Sequence, residues 1–132
     1  MPIEQISPAL ASIVSQDQPI EELAAGFGND NGPAEGPLWW KEGGYLLFSD
    51  IGNNRRMKWE LDSRAPVFQE PTNFANGLTC DVHGRLLACA WTPRVVRTVP
   101  VVRLSVIAYN YQCKRLNRSE ERRVGKECRS RW

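Results

Sequence analysis

The sequence has 132 residues, of which 42% are hydrophobic and 24% are charged, a composition typical of one globular domain. The net charge of +2 comes from the end of the chain: six basic and three acidic residues lie in 118–132, which leaves 11 basic and 12 acidic residues in 1–117. Because the body of the chain has no basic bias, composition argues against a nucleic-acid-binding protein.

The sequence gives no sign of a membrane partner or of secretion. No run approaches the roughly 18 apolar residues of a membrane-spanning helix, and the first residues lack the basic and apolar regions of a signal peptide. We therefore expect a cytoplasmic protein. The cysteines show no C-x-x-C spacing and the single histidine, His83, lies in a predicted turn, so a zinc site is not indicated. We predict buried or half-buried reduced thiols at Cys80, Cys89, Cys113 and Cys128.

The chain begins with an extension, residues 1–19. Within it, Ser7–Val14 is predicted to form a short helix, since Ser7 is a good N-cap and a proline follows it in the first turn. A short strand is predicted at Ile20–Ala24. The next run, GFGNDNGPAEGP at 26–37, is dense in glycine, asparagine, aspartate and proline and is predicted to be a loop.

Short strands and turns then alternate about every 8 to 12 residues, without a helical period among them, which predicts an all-β sandwich, barrel or propeller. Two segments 40 residues apart, EGGYLLFSD and VHGRLLACA, share a layout, as a propeller blade of four strands would produce. The predicted strands are Tyr45–Ser49, Arg56–Leu61, Gly77–Asp81, Leu86–Ala90, Val95–Val99 and Leu104–Ala108.

The final segment, RSEERRVGKECRSRW at 118–132, has nine charged residues in fifteen and no apolar periodicity. One interpretation is a disordered basic tail. The other is that it does not belong to the protein, because the peptide resembles translated sequencing-adapter DNA running into an interrupted reading frame. The folded domain is therefore predicted to span residues 20–117.

Three blocks of this domain carry a family resemblance. The first is AEGPLWWKEGGYLLFSDI (34–51), the second FANGLTCDVHGRLLACA (74–90), and the third and weaker is RVVRTVPVVRLSVIAYNYQCKRLN (94–117). Together they resemble the gluconolactonase and regucalcin family of sugar lactonases. The resemblance implies an all-β, six-bladed β-propeller with a divalent cation, commonly calcium, in its central channel. About two blades of that propeller, preceded by the short N-terminal helix, would be present here.

The resemblance places two site residues in this chain. Glu35 matches the family's metal-ligand glutamate, and a carboxylate is a ligand that calcium prefers. Asn76 matches the asparagine that contacts the substrate, and its amide can both donate and accept hydrogen bonds. Read without the family, Glu35 would be an ordinary loop residue, and Asn76–Gly77 would be an Asx turn or a left-handed position. Some relatives carry an arginine where this chain has Phe74, which bears on substrate preference.

Other polar residues are interpreted as structural. Asp50 and Asp81 each close a strand and are predicted to make turns rather than to bind metal, and His83 is predicted to be exposed. The residues Ala-Trp-Thr at 90–92 stand where bacterial relatives tend to show Glu-His-Gly.

The resemblance also implies that essential parts lie outside this chain. In the family a second metal-ligand asparagine follows the segment that is here Lys114–Asn117, and a later aspartate serves as metal ligand and general base. No catalytic residue is therefore predicted among these 132 residues. Open strand edges and uncovered apolar faces are also expected to leave two isolated blades unfolded or aggregating.

The function expected of the intact parent is hydrolysis of sugar lactones, such as gluconolactone, to aldonic acids, with the cation polarising the ester carbonyl. We expect neither useful metal affinity nor catalysis from this chain by itself. Two alternatives remain open: another metal-dependent esterase or organophosphate hydrolase on the same propeller, and a non-catalytic calcium-binding propeller.

Overall fold

The structure is a computed structural model that describes residues 3–61, 63–90, 95–99, 105–108 and 110–115. Within these ranges the regular elements are one 3₁₀ helix, Pro8–Ser12, and ten β-strands. The strands are β1 Ala34–Trp40, β2 Tyr45–Asp50, β3 Arg55–Trp59, β4 Val67–Gln69, β5 Ala75–Cys80, β6 Leu86–Ala90, β7 Val95–Val99, β8 Ser105–Ala108, β9 Asn110–Tyr111 and β10 Lys114–Arg115.

Eight of the strands form two four-stranded antiparallel sheets, in the orders β1-β2-β3-β4 and β5-β6-β7-β8, and β9 pairs with β10. Each sheet is a simple meander, the arrangement of one propeller blade. We call the first sheet blade 1 (34–69) and the second blade 2 (75–108). The blades meet where β5, the first strand of blade 2, contacts β1 and β2 of blade 1. The all-β prediction is confirmed.

The core is centred on alternate residues of the second strand of each blade and also includes Ile51, Met57 in β3 and Ala75 in β5. Leu47 and Ser49 in β2 are buried, and so are Leu86, Ala88 and Ala90 in β6, whereas the residues between them are only half-buried. This period of two follows from the strand itself, since successive side chains point to opposite faces of a sheet. One face of each strand therefore builds the packed interior.

The two repeated segments occupy the same place in the two blades, but the buried positions of the second strand are shifted by one residue between them. The β1–β2 turn joins paired residues Trp40 and Tyr45, and the β5–β6 turn, which is one residue longer, joins Cys80 and Leu86. A shift of one residue moves a side chain to the opposite face of a strand. Accordingly, the second leucine of the Leu-Leu pair is buried in blade 1, and the first is buried in blade 2.

Strand β1 corrects the prediction of a loop over 26–37, because the strand begins at Ala34. A β-bulge between Glu35 and Leu38 accommodates Gly36–Pro37. Bulges and sheet edges are the places where a strand tolerates proline, which has no N–H to give to the ladder. The glycine and proline that indicated a loop are thus features of the strand.

The N-terminal predictions are confirmed in part. The predicted helix at Ser7–Val14 is a shorter 3₁₀ helix, and the Ser7 side chain caps it by accepting a 3.4 Å hydrogen bond from the N–H of Ala9. The strand predicted at Ile20–Ala24 is wrong. This segment has no regular structure, and its two largest apolar side chains are 78% and 48% exposed, so burial does not stabilise a strand there.

The later strands follow the predictions closely. Leu86–Ala90 and Val95–Val99 agree to the residue, and the other predicted strands differ by one or two residues at their ends. The short strands β4, β9 and β10 were not predicted, because two or three residues are too few to show alternation. No helix in the described part of the chain has the length and apolarity to cross a bilayer.

The cysteine prediction holds at two positions. Cys80 and Cys89 are half-buried, but Cys113 is exposed because it lies in the turn between β9 and β10. The predictions for Cys128, for Trp91–Thr92 and for the segment 118–132 lie outside the described residues.

Candidate functional site

The two predicted site residues lie on the first strands of neighbouring blades. Glu35 is in β1 and Asn76 is in β5, and each strand carries a β-bulge at that point. Bulges are common beside binding sites, where they redirect a side chain. The loop interpretation of Glu35 is therefore wrong, and so is the left-handed interpretation of Asn76, whose φ is not positive. Left-handed backbone occurs earlier, at Asn73 and Phe74.

A glycine lets the two strands touch. Gly36 has a φ of +64°, and a Cβ at this position would lie 2.5 Å from the carbonyl oxygen of Asn76. No real Cβ makes so short a contact. The main chains of β1 and β5 therefore meet directly beside Glu35.

A buried serine joins the same two strands. Ser49 is 1% exposed and lies directly opposite Glu35 in the β1–β2 pair. Its hydroxyl donates a 2.7 Å hydrogen bond to the carbonyl oxygen of Asn76. One side chain of blade 1 thus holds the main chain of blade 2 at the candidate site.

An asparagine fixes the segment that leads into β5. Asn54, at a φ of 56°, accepts through its side-chain oxygen from the N–H groups of Thr72 (3.2 Å) and Phe74 (2.8 Å) and from the Thr72 hydroxyl (3.3 Å). The Thr72 hydroxyl in turn accepts from the N–H of Ala75 at 3.4 Å. These bonds set the main chain immediately before Asn76.

The polar groups of the two site residues are uncommitted. The side chains of Glu35 and Asn76 are half-buried, and neither makes a hydrogen bond or an ion pair with another described residue. Hydrogen bonds and a close contact therefore hold the main chain beside both residues, while the described residues provide no partner for their polar ends. The structure thus brings the two strands together and leaves both side chains available to a ligand.

The described residues do not fit a complete calcium site. Calcium takes six to eight oxygen ligands. In the described part of the chain no group of three or more histidine, cysteine, aspartate or glutamate residues is placed to hold a metal ion. These residues therefore offer Glu35 as a single carboxylate and nothing approaching a full coordination shell.

Asp50 is a structural carboxylate, as predicted. It is fully buried and accepts hydrogen bonds from the N–H of Gly28 (2.8 Å), from Arg55 Nε (2.8 Å) and, at both oxygens, from Asn53 Nδ2 (3.0 Å). The Asn29 side chain extends this network by donating to Asn53 Oδ1 at 2.8 Å. Asp50 therefore ties the N-terminal loop to the β2–β3 turn, and its oxygens are occupied.

Asp81 has the same kind of role in blade 2. Its carboxylate accepts from the N–H groups of His83 and Arg85, both at 2.9 Å, and pairs with the Arg85 guanidinium. The turn prediction is confirmed, and His83 is exposed as predicted.

Acid should weaken blade 1 through Asp50. Burial alone would raise the pKa of this carboxyl, but the hydrogen bonds from Gly28, Arg55 and Asn53 outweigh burial and hold the pKa below its ordinary value of 3.8. A carboxyl whose pKa is lower in the folded state stabilises the fold above its unfolded pKa, and that contribution is lost as pH falls through the folded pKa.

In a full-length protein that contains this chain, we therefore expect the urea concentration at the midpoint of unfolding to fall between neutral pH and about pH 3, and to fall less in the Asp50→Asn variant. Equal falls in the two proteins would contradict this role of Asp50.

A polar row crosses blade 1 through the serine. The paired residues are Glu35 with Ser49, Ser49 with Arg56, and Arg56 with Gln69. Arg56 is 1% exposed, its Nη1 donates to Gln69 Oε1 at 2.8 Å, and its Nε has no partner among the described residues. Burial lowers the pKa of Arg56 to about 10. The row runs across blade 1 from its outer strand β4 to Glu35 in β1, and Ser49 links it to blade 2.

Ser49 and Asn54 were not identified from the sequence. The Asn-Asn pair in the turn DIGNN signals a left-handed position at Asn54, because asparagine tolerates that conformation. A serine inside the run YLLFSD gives no comparable signal.

Comparison with known proteins identifies relatives of this arrangement. No protein-family model matches the chain. The gluconolactonase of Zymomonas mobilis is 33% identical over 130 aligned positions, which cover 87% of this chain and 35% of the relative. The chain thus spans about a third of the length of that relative.

Two solved structures resemble the fold. A gluconolactonase of Xanthomonas campestris, described as important in glucose secondary metabolic pathways, has a TM-score of 0.60 and 30% identity over 64% of this chain and 29% of its own. An X-ray structure from the gluconolactonase family has a TM-score of 0.65 and 28% identity over 74% of this chain and 33% of its own. By sequence and by fold, the chain is a homologue of the gluconolactonases, and its two antiparallel meanders have the architecture of a partial β-propeller.

Proposed function

We propose that this chain is the N-terminal part of a divalent-cation-dependent lactonase that hydrolyses sugar lactones, such as gluconolactone, to aldonic acids, with calcium as the cation. The observation that carries the proposal is the close contact between the strands that hold Glu35 and Asn76, two residues whose polar groups have no partner in the described part of the chain. The names of the matched relatives support the substrate class.

The two residues have separate roles. Asn76 binds the sugar, because an amide that both donates and accepts suits a ligand with many hydroxyl groups. Glu35 provides one hard oxygen ligand to the cation. The other ligands and the general base come from further blades of the whole enzyme. The 132-residue chain alone therefore has no lactonase activity.

The test uses what we call the extended protein: residues 1–117 of this chain continued to the full length of the relatives. The continuation comes from the source gene, resequenced beyond Asn117, or from the matching remainder of the Zymomonas mobilis gluconolactonase. We expect the extended protein to hydrolyse gluconolactone, a chelator to abolish the activity, and calcium to restore it. The 132-residue chain in the same assay should be inactive.

Point variants assign the roles. Glu35→Gln should weaken calcium binding, measured by titration calorimetry, by about tenfold or more, since a carboxylate ligand is lost. Its matched control is Glu42→Gln, because Glu42 is an exposed glutamate of the β1–β2 turn. Equal calcium affinity in the two variants would contradict the role of Glu35.

Each competing function has its own signature. Activity that persists in chelator would overturn the cation mechanism. Hydrolysis of aryl esters or phosphotriesters without lactones would identify another esterase on this scaffold, and calcium binding without any hydrolysis would identify a non-catalytic propeller.

A further inference from the structure

We propose that Ser49 is a positioning residue for substrate recognition: through the carbonyl group of Asn76, its hydroxyl sets where the Asn76 amide stands relative to Glu35. This inference rests on the proposed function and adds to it a residue of blade 1 that controls a substrate contact of blade 2. Ser49 itself touches neither substrate nor cation.

The first argument is the place of Asn76 in its own sheet. The β5–β6 pairing is regular at Ala75 and again from Leu78, and the register shifts between them. Asn76 therefore lies at the bulge, where the ladder leaves a residue without a strand partner. The hydrogen bond from Ser49, 2.7 Å long, holds the main chain where β6 does not.

The second argument is the rigidity of the donor. Ser49 is 1% exposed and lies between registered partners on both sides, Glu35 in β1 and Arg56 in β3. A serine in the middle strand of three has its main chain fixed by two ladders. The position of its hydroxyl is therefore fixed relative to the β1–β2 pair, which also carries Glu35.

The third argument is the lack of any other restraint on the amide. The side chain of Asn76 makes no hydrogen bond with another described residue, and the direction of its Cα–Cβ bond is set by the main chain, so the main chain is the part of Asn76 that hydrogen bonds restrain. Asn54 fixes the chain before this point, through Thr72 and Phe74. The Ser49 bond fixes the chain at the residue itself.

The experiment compares matched serine variants of the extended protein. Ser49→Ala removes the bond to Asn76. Ser63→Ala removes a similar bond in the connection between β3 and β4, where the Ser63 hydroxyl donates to the carbonyl oxygen of Glu60 and accepts from its N–H, both at 2.9 Å. We expect Ser49→Ala to lower kcat/KM for gluconolactone about five- to tenfold. Ser63→Ala should change it less than twofold, and Ser49→Thr, which keeps a hydroxyl, should recover most of the loss.

A double-mutant cycle separates positioning from general stability. If Ser49 acts through Asn76, adding Ser49→Ala to Asn76→Ala should cause no further loss of kcat/KM, because coupled residues are not additive. Full additivity of the two losses would overturn the proposal. So would a loss in Ser49→Ala that Ser49→Thr does not recover although that variant melts like the parent protein.

A structural measurement decides the matter without catalysis. Hydrogen exchange of a peptide covering 73–80 should be faster in Ser49→Ala than in Ser63→Ala, and unchanged exchange there would overturn the positioning role. If the extended protein hydrolyses no lactone, the proposed function fails, and the exchange measurement still decides whether Ser49 holds Asn76.

Discussion

Replacing Gly36 with alanine is expected to destabilise the extended protein by about 3 kcal/mol and to reduce its lactonase activity sharply. A left-handed φ of +64° costs an alanine about 1–2 kcal/mol. The new Cβ would also lie 2.5 Å from the carbonyl oxygen of Asn76, so the two strands must separate, and overpacking of this kind costs about 1–3 kcal/mol. Both terms act beside Glu35, where the blades meet.

Gly44→Ala is the matched control, because Gly44 has a φ of +66° and a Cβ there would meet nothing within 4 Å. Urea unfolding of both variants isolates the close contact, since both bear the same conformational cost. If the two variants lose equal stability, the contact between β1 and β5 contributes nothing. If Gly36→Ala is destabilised but keeps full activity, the contact does not set the site.

Replacing Asp50 with asparagine is expected to destabilise the extended protein by about 2–3 kcal/mol at neutral pH. The carboxylate is fully buried and accepts from Gly28, Asn53 and Arg55. An amide of the same shape replaces one acceptor oxygen by an NH₂ donor that faces other donors, and it leaves the partly exposed guanidinium of Arg55 without its anion. The N-terminal loop should separate from the β2–β3 turn.

The comparison variant is Asp81→Asn, in which the aspartate also closes a strand and pairs with an arginine, but in an exposed turn. We expect its melting temperature to stay close to that of the parent protein, because exposed ion pairs contribute little. Limited proteolysis gives a second measurement: cleavage between residues 15 and 28 should accelerate in Asp50→Asn alone. Equal melting temperatures of the two variants would contradict the special role of Asp50.

The sequence predicted strands wherever a side-chain pattern could decide them. Leu86–Ala90 is an apolar run that is long enough to specify a strand, and the strand in the structure has the same first and last residues. The strand predictions failed where contacts between distant parts of the chain decided the local structure. Ile20–Ala24 pairs with no strand in the described part of the chain, and Ala34–Trp40 contains a glycine and a proline that a bulge accommodates.

The same division holds for the candidate site. Glu35 and Asn76 were predicted from the family resemblance, and the residue pattern alone would not have singled them out. Ser49 and Asn54 were not found, because what they do depends on carbonyl and N–H groups of a segment about 20 to 30 residues away. Which main-chain groups Ser49 and Asn54 bond is decided by how the blades pack together, and a local pattern of residue types does not reveal that packing.

The serine bond has a consequence for how substrate range can change. Ser49 recognises a carbonyl oxygen, which every amino acid carries, and not the amide of Asn76. The main chain at position 76 is therefore held by a hydrogen bond that does not depend on which side chain this position carries. A library of side chains at this position should keep the alignment of the two strands while exchanging the group presented to the ligand. Single substitutions at position 76 are therefore expected to change substrate selectivity while the packing of the two blades stays the same.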